Sequence, residues 1–267
     1  MAESSDTLYI RIGRESFLFA RYNILNEQRL EYVDFKLKPD VSLNANMHEA
    51  LKRVPFAMEG YRNVRVLVEG TATLVPLNEF EEENCEQLFF FNAPARHKRR
   101  RVFYDTLPHM GAVLLFGADK DMCHTLEETY ENIYFQSTET PLLLHFASCS
   151  PRVLSRGRLF VALTPERVSV AAFRSGKIEL YNTFALDTLK DALYYVLSMA
   201  KLWNMNPAVD EIFVAGMENE ARQLAEDTKI YYPNCFYNDP NDEFGKVGSI
   251  LKEVIPYDMM NALLKAY

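Results

Sequence analysis

The chain has 267 residues, 48% of them hydrophobic and 25% charged, with a formal net charge of −8 at pH 7. This length suits two hydrophobic cores of about 130 residues each better than one core. The negative charge argues against general nucleic-acid binding, which needs a cationic face, and no stretch approaches the roughly 20 apolar residues of a membrane span. The polar start MAESSDT lacks the features of a secretory signal. Four scattered cysteines without a CxxC pair favour reduced thiols in a cytoplasm.

One sequence pattern occurs twice in the chain. Residues 8–23 align without a gap with residues 159–174, so that Leu8 falls on Leu159. Each copy consists of an apolar run, a short polar turn and a second apolar run, which predicts a β-hairpin packed on a core. The chain is therefore predicted to contain two related halves.

The first half continues with further strand and helix patterns. Strands are predicted at residues 8–12, 17–22, 30–37, 64–68, 102–105, 112–116 and 142–146. Helices are predicted from a cap at Ser42 or Asn44 to residue 53, and at residues 78–90 and 119–134. The strands around the turn at 108–111 form a hairpin insertion at about residues 96–118. The half is predicted to end near residue 150.

The second half repeats this order. A third strand at residues 177–184 follows its hairpin, and its Tyr181 matches Tyr32 when the connecting turn is shortened by two residues. The later elements are predicted as a helix capped by Asp187 and running to residue 202, a strand at 212–215, a helix at 218–227, a strand at 230–232 and helices at 248–254 and 258–266. Gly216, which closes the strand 212–215, is matched with Gly70. The predicted domains are residues 1–150 and 151–267.

Three segments carry a resemblance to a known group of proteins: LVPLNEF at residues 74–80, FYDTLPHMGAVLLFGA at 103–118 and LFVALTPERVSVAAF at 159–173. They resemble an uncharacterised bacterial family with a domain-of-unknown-function label and an actin-like fold. More distantly, the chain is similar to the cytoplasmic domains of type II secretion protein L and type IV pilus assembly protein M. The resemblance implies an α/β fold of two ribonuclease-H-like (actin-like ATPase) halves, with mixed sheets and flanking helices, facing across a cleft.

The resemblance also implies where chemistry would occur. In active members of the superfamily the first hairpin of each half cradles phosphates, and an acidic residue at the end of its first strand holds Mg²⁺ or its water. The corresponding positions here are Arg11, two residues before Gly13, and Ala162, two residues before Thr164. Because neither is acidic, the hairpins offer no metal-ion ligand, and phosphoryl transfer loses the ion that neutralises developing charge. We therefore predict neither catalytic residues nor a metal site.

The alternative to a chain that binds no nucleotide is a chain with a degenerate nucleotide site. Its candidate cofactor-binding residues are the phosphate-hairpin and cleft positions, namely Gly13, Arg14, Glu15, Thr164, Glu166 and Gly216. A glycine that ends a strand admits a ligand to the backbone but is also an ordinary turn residue, and we favour the turn. The two glutamates occupy equivalent turn positions and could act as acid and base across a cleft. We favour two solvated turn residues instead.

The sharpest charge feature is a basic run between two groups of aromatic residues. Its cations are Arg96, Lys98, Arg99, Arg100 and Arg101. Such a run can bind RNA or an acidic partner through phosphate contacts and stacking. The favoured alternative is a solvated loop that balances the acidic stretch at residues 79–86.

Two pairs of neighbouring cysteine and histidine residues are candidate ligands or nucleophiles. Cys123 and His124 are adjacent, so on a helix they point about 100° apart. His145 and Cys149 lie near the predicted half-boundary, where no continuous helix is predicted. A structural role is favoured for both pairs.

The favoured hypothesis is a non-catalytic, actin-like scaffold or adaptor of the bacterial cytoplasm that binds an unidentified protein and has no cofactor. A second copy of the chain is the alternative partner, giving a homodimer. Two further hypotheses are ATP binding or weak ATPase activity through an altered cleft, and RNA association through the basic run.

Overall fold

The computed structural model describes residues 7–22, 30–93, 99–150, 156–251 and 255–265 of the chain. The chain divides into two compact units. The first unit comprises Met1–Val75, Glu79–Thr106 and Val113–Thr138, and the second comprises Pro76–Asn78, Leu107–Ala112 and Glu139–Tyr267. Within the described ranges, no helix combines the length and apolar character needed to cross a bilayer.

The described residues form β-strands and α-helices in alternating groups. The strands are β1 (Thr7–Ile12), β2 (Ser16–Tyr22), β3 (Leu30–Lys36), β4 (Asn63–Val68), β5 (Ala72–Pro76), β6 (Arg100–Leu107), β7 (Ala112–Asp119), β8 (Ile133–Ser137), β9 (Gly157–Thr164), β10 (Arg167–Arg174), β11 (Lys177–Ala185), β12 (Glu211–Gly216) and β13 (Cys235–Tyr237). The helices are α1 (Leu43–Arg53), α2 (Cys85–Asn92), α3 (Lys120–Thr129), α4 (Glu139–Ser148), α5 (Leu189–Leu202), α6 (Glu218–Lys229), α7 (Pro240–Leu251) and α8 (Tyr257–Leu264).

Each unit is built on a five-stranded mixed sheet with the same topology. The strand order is β3-β2-β1-β4-β8 in the first unit and β11-β10-β9-β12-β13 in the second. The first three strands are antiparallel, whereas β1 pairs in parallel with β4 and β9 pairs in parallel with β12. The parallel partners are reached through α1 and α5, as a crossover connection requires. The predicted duplication and mixed sheets are confirmed.

Strand register shows which positions of the two units are equivalent. Tyr32 pairs with Ala20 and Tyr181 pairs with Ala171, which confirms the predicted match of the third strands. The match of Gly216 with Gly70 is wrong. Gly216 pairs with Leu163 of the central strand, a position that Val68 occupies opposite Ile12 in the first unit. The two-residue error arises because a strand-ending glycine was aligned by residue type rather than by pairing.

Alternate residues of the central strands form the cores. In the first unit Leu8 and Ile10 pack with Val66 beneath α1 and α3. In the second unit Leu159 and Val161 pack beneath α5 and α6. Each fully buried aliphatic side chain of this kind contributes about 1.5–3 kcal/mol of transfer free energy. Hydrophobic burial thus explains why both copies of the repeat fold as hairpins.

A separate three-stranded sheet, ordered β5-β7-β6, forms the insertion in the first half. Its hairpin β6–β7 turns at Pro108–Met110 and Gly111, whose φ of 65° suits a left-handed turn. Phe89 and Phe90 of α2 pack on Val113 and Leu115 of this sheet. The predicted hairpin is present, and its strands are longer than predicted.

Three predicted elements differ from the structure, one in length, one in type and one in position. The helix predicted at 119–134 ends at Thr129, and β8 follows it. The strand predicted at 142–146 lies inside α4, because a short apolar run is equally compatible with a buried helix. Its Pro141 falls in the first turn, where a helix tolerates proline. The strand predicted at 230–232 lies a few residues later in the chain, as β13.

Other predicted helices differ at their ends. The helix predicted at 78–90 begins with 3-10 turns at Leu77–Glu79 and Glu82–Asn84 before α2. Ser42 caps α1 by accepting a hydrogen bond from Ala45 N–H, as one of the two predicted caps. The cap of α5 is Thr188, in a capping box with Asp191, rather than Asp187. The C-terminal helices α7 and α8 begin earlier than predicted.

The close approach of β12 to β9 predicts a strict need for glycine at position 216. Its φ is 133°, and a Cβ added there would lie 2.1 Å from the carbonyl oxygen of Leu163. A non-glycine residue in such a backbone conformation costs about 1–3 kcal/mol before any clash. We therefore expect Gly216→Ala to lower the urea midpoint of unfolding markedly.

Gly60→Ala is the matched control for this substitution, because an added Cβ at Gly60 meets nothing within 4 Å. Its urea midpoint should equal that of the unsubstituted chain. Equal midpoints for both variants would contradict a structural requirement at Gly216.

Candidate functional site

The β1–β2 turn carries the candidate residues of the first hairpin. Gly13 N–H donates to the carbonyl oxygen of Ser16 at 3.0 Å, which closes the turn. Arg14 and Glu15 are exposed. The carbonyl oxygen of Glu15 accepts a hydrogen bond from Leu37 N–H at 2.8 Å. The backbone of Glu15 therefore anchors the end of the third strand, and its side chain lies on the surface.

The most distinctive feature beside this turn is a largely buried ion pair. Arg11 Nη1 lies 3.2 Å from Glu69 Oε2, and the two side chains are 10% and 15% exposed. A Cβ added to Gly13 would lie 2.9 Å from Arg11 Nη1 and 3.3 Å from Glu69 Oε2. The pair thus packs directly against the glycine of the hairpin. The end of β1 presents a permanently charged guanidinium, which binds anions and cannot ligate a metal ion.

Sequence analysis identified Arg11 but missed its partner. Glu69 directly follows β4, and its N–H donates to the carbonyl oxygen of Ile12 at 3.0 Å. Because the carboxyl ends of parallel strands meet at one edge of a sheet, residues following β1 and β4 lie close together. That parallel pairing was the signal that could have identified Glu69.

The β9–β10 turn carries the candidates of the second hairpin. Thr164 Oγ1 donates to the carbonyl oxygen of Arg167 at 3.3 Å, so this hydroxyl closes the turn. The carbonyl oxygen of Glu166 accepts from Leu186 N–H at 2.8 Å, as Glu15 does from Leu37. Gly216 lies against Leu163 at the same end of the sheet. The structure therefore brings Thr164, Glu166 and Gly216 to one edge of the second unit.

The ends of β1 and β9 carry Arg11 and Ala162 at the positions where active members of the superfamily have an acidic residue. Ala162 is buried in β9, at the position that Arg11 occupies in β1. In the part of the chain that the structure describes, no group of three His, Cys, Asp or Glu residues is arranged to hold a metal ion.

The basic run is partly described. Arg96 and Lys98 lie outside the described residues, and Arg99 is exposed. Arg100 Nη1 donates to the carbonyl oxygen of Gly117 at 2.7 Å, which ties β6 to β7. Arg101 Nη1 lies 2.6 Å from Glu127 Oε1, and its guanidinium stacks 4.7 Å from the centre of the Phe103 ring. Both cations thus contact groups of the first unit.

The two cysteine–histidine pairs have different outcomes. His124 is exposed and lies 3.1 Å from Glu128, whereas Cys123 is buried, which confirms that the adjacent residues point apart. Burial raises the pKa of the Cys123 thiol to about 12. The prediction that no continuous helix surrounds His145 is wrong. Helix α4 continues to Ser148 and places Cys149 one turn after His145.

Comparison with known proteins supports the fold. The family model described as "Protein of unknown function (DUF3822)" matches residues 2–235. A crystal structure from Bacteroides thetaiotaomicron VPI-5482, a protein with actin-like ATPase fold and unknown function, is 25% identical to the chain. The match covers 99% of this chain and 98% of that one, with a TM-score of 0.84.

A structure of the PilM-PilN type IV pilus biogenesis complex also matches, at 14% identity. It covers 97% of each chain with a TM-score of 0.56. No curated protein matches the sequence. The expected actin-like ATPase fold and the distant similarity to pilus protein M are confirmed.

The Arg11–Glu69 pair predicts strong energetic coupling between these two side chains. Removing either partner takes this ionic contact away from a largely buried charge, so the stability losses of the two single variants should add up to more than the loss of the double variant. A double-mutant cycle with Arg11→Met and Glu69→Gln should give a coupling free energy above about 1 kcal/mol, within the range for contacting residues. Urea unfolding measures it.

The exposed pair of Lys229 and Glu226 in α6 is the control for this cycle. The cycle with Lys229→Met and Glu226→Gln should give at most about 0.5 kcal/mol, as surface helix pairs do. Equal coupling in the two cycles would contradict the inferred role of burial.

Proposed function

The chain belongs to the family of proteins of unknown function DUF3822, and from its actin-like ATPase fold we propose that it is a non-catalytic scaffold or adaptor. It holds a partner protein in the bacterial cytoplasm. In this proposal the hairpin turns of both units have a structural role and do not take part in phosphate transfer.

The Arg11–Glu69 pair is the observation that carries this proposal. A carboxylate at the end of β1 would ligate Mg²⁺ or its water, whereas the guanidinium of Arg11 repels a metal ion. Glu69 is an acid at this edge of the sheet, and its Oε2 already faces Arg11 at 3.2 Å. In the second unit, the methyl group of Ala162 offers no ligand. Phosphoryl transfer in this fold depends on charge neutralisation by the metal ion, so its loss favours a binding role.

The PilM-PilN structure supports the choice of a protein partner. It is a complex in which a protein of the same fold is assembled with another protein. The proposal transfers only this mode of action, a protein of actin-like fold that holds another chain. A second copy of the present chain would be the partner if the protein forms a homodimer.

Nucleotide binding without catalysis is the second candidate function, and the position of Arg11 favours it. A guanidinium beside the hairpin glycine can bind a phosphate group through paired N–H donors without a metal ion. Glu69 competes for the same donors, because its carboxylate already accepts from Arg11. Nucleotide binding would therefore require this ion pair to open.

RNA association is less favoured than protein binding. Phosphate contacts need cations that are accessible, and both Arg100 and Arg101 already contact groups of their own unit. Arg99 remains exposed on the described part of the run.

A thermal-shift experiment tests whether the chain binds a nucleotide. A ligand at 100 times its Kd stabilises the folded state by about 2.7 kcal/mol, which shifts the melting temperature visibly. With millimolar ATP or ADP and Mg²⁺, we expect the melting temperature to stay unchanged.

A shift that disappears in Arg11→Met and persists in the surface control Lys229→Met would instead establish the nucleotide alternative. If the same Arg11-dependent shift in melting temperature is also seen without Mg²⁺, the guanidinium of Arg11 binds the phosphate group without a metal ion.

Affinity capture from the native host, followed by reconstitution with the purified partner, tests the scaffold itself. We expect a stoichiometric protein complex that forms without nucleotide and survives ribonuclease treatment, because neither a nucleotide nor RNA contributes to the proposed interface. A complex that ribonuclease dissolves would favour the RNA alternative. A chain that captures nothing and behaves as a monomer would contradict the scaffold.

A further inference from the structure

The second unit contains a cluster of titratable side chains remote from the hairpin turns in sequence. His145 lies in α4 and Cys149 just after it, Glu243 lies in α7, Tyr257 begins α8, and Lys265 follows α8. These five residues are the Cys149 cluster. No part of the proposed scaffold function uses them.

The imidazole of His145 lies at the centre of the cluster. It is 2% exposed, and its Nε2 contacts Glu243 Oε1. Its Nδ1 lies 2.6 Å from Lys265 Nζ. Two nitrogen atoms in such a contact have one hydrogen between them, so His145 and Lys265 together carry a single positive charge. A carboxylate and an ammonium group therefore each contact one nitrogen atom of the ring, and they also contact each other.

The thiol of Cys149 faces this ring. Its Sγ lies 3.8 Å from Nδ1 and 3.7 Å from Nε2 of His145, within reach of both nitrogen atoms. The backbone N–H of Cys149 donates to the carbonyl oxygen of His145 at 3.0 Å, which fixes the thiol at the end of the helix.

Charged groups from several elements hold the cluster in place. Tyr257 O–H donates to Glu243 Oε2 at 2.6 Å, and Lys265 Nζ lies 2.8 Å from Glu243 Oε1. Arg158 of β9 donates to the carbonyl oxygen of Cys149, while its Nε lies 2.9 Å from Glu211 of β12. The His145–Lys265 pair, with its single positive charge, therefore lies beside the thiol, and Glu243 contacts both members of that pair.

This arrangement favours the thiolate form. Burial alone would raise the pKa of Cys149, but hydrogen bonds with His145 and Ser148 and the positive charge shared by His145 and Lys265 lower it. Burial opposes the ionised form of Glu243 in the same way, yet hydrogen bonds from His145, Lys265 and Tyr257 lower its pKa to about 2. Glu243 is therefore a carboxylate at neutral pH, and it keeps the imidazole oriented.

The other three cysteines have the opposite environment. Cys85, Cys123 and Cys235 are buried, whereas Cys149 is partly exposed. Burial raises the pKa of Cys235 to about 12, as it does for Cys123, and also raises the pKa of Cys85. A low-pKa, accessible thiol is the reactive kind, and buried thiols of high pKa are inert.

We propose that Cys149 is a reactive thiolate, which has lost its proton to solvent and is stabilised by the single positive charge that His145 and Lys265 share and Glu243 holds in place, and which hydroperoxides oxidise to a sulfenic acid. The sulfur attacks the terminal oxygen of the hydroperoxide, so that an S–O bond forms and the O–O bond breaks. Sulfur loses two electrons and the peroxide gains them. The departing oxygen takes the proton held by His145 and Lys265 and leaves as water or an alcohol.

Alkylation of the native wild-type chain across a pH series tests this site without any variant. Iodoacetamide reacts with thiolates, so the rate follows the ionised fraction of each thiol, and peptide mass spectrometry assigns it to a position. We expect Cys149 to be labelled first, with a midpoint below the ordinary cysteine value of about 8.5. A midpoint at or above that value, or equal labelling of the buried cysteines, would overturn the proposal.

Lys265→Met tests whether the cluster causes the reactivity. Removing the ammonium should move the alkylation midpoint of Cys149 upward and slow labelling at neutral pH, by about tenfold for each unit of pKa. Lys229→Met, which removes an exposed ammonium from α6, is the matched control and should leave the profile unchanged. Equal profiles in all three proteins would overturn the role of Lys265.

Peroxide treatment with a sulfenic-acid trap, such as dimedone, tests the oxidation step. We expect an adduct on Cys149 in the wild type and a slower one in Lys265→Met, with melting temperatures compared to show that both chains are folded. No adduct on Cys149, or adducts that form equally on the buried cysteines, would overturn the oxidation.

Discussion

The parallel pairing of two central strands is the constraint on which each unit depends. β1 lies beside β4, and β9 beside β12, and the sheets continue with the parallel pairs β4–β8 and β12–β13 on one side and with hairpin neighbours on the other. A parallel pair cannot be closed by a tight turn, so a helix must cross from one strand to the next and cover the sheet. This requirement explains why the two units share one strand order although their sequences agree mainly in the spacing of apolar residues. It also explains why residues distant in sequence meet at one sheet edge.

The two units use that edge differently. In the first, the ends of the parallel strands place Arg11 against Glu69 beside Gly13. In the second, the corresponding strands approach so closely that Gly216 has no room for a side chain beside Leu163. An internal ion pair occupies the edge of the first sheet, and close backbone packing occupies the edge of the second. At the ends of β1 and β9 themselves, Arg11 and Ala162 take the place of the acidic residue, and Glu69 at the end of β4 is engaged by Arg11, which is the basis of the proposed binding function.

The Cys149 cluster shows a different use of the same fold. The end of α4 is tied to β9 through Arg158, while α7 and α8 bring a carboxylate and an ammonium group to the imidazole of His145. The thiol thereby acquires an electrostatic environment that its own helix could not provide. The proposed chemistry at Cys149 does not involve the hairpin turns, so it is independent of the proposed scaffold function.

The sequence by itself determined the duplicated hairpins, because an apolar run, a short polar turn and a second apolar run predict a hairpin packed on a core. It also determined the substitution at Arg11, once the resemblance to actin-like proteins had marked that position. It could not separate α4 from a strand, since a short apolar run such as Leu142–Leu143 suits both. Nor could it show that Gly216 corresponds to Val68, because equivalence depends on pairing register. Glu69, Glu243 and Lys265 joined their sites only in the tertiary structure, since strand pairing and helix packing, rather than sequence spacing, decide which charges become neighbours.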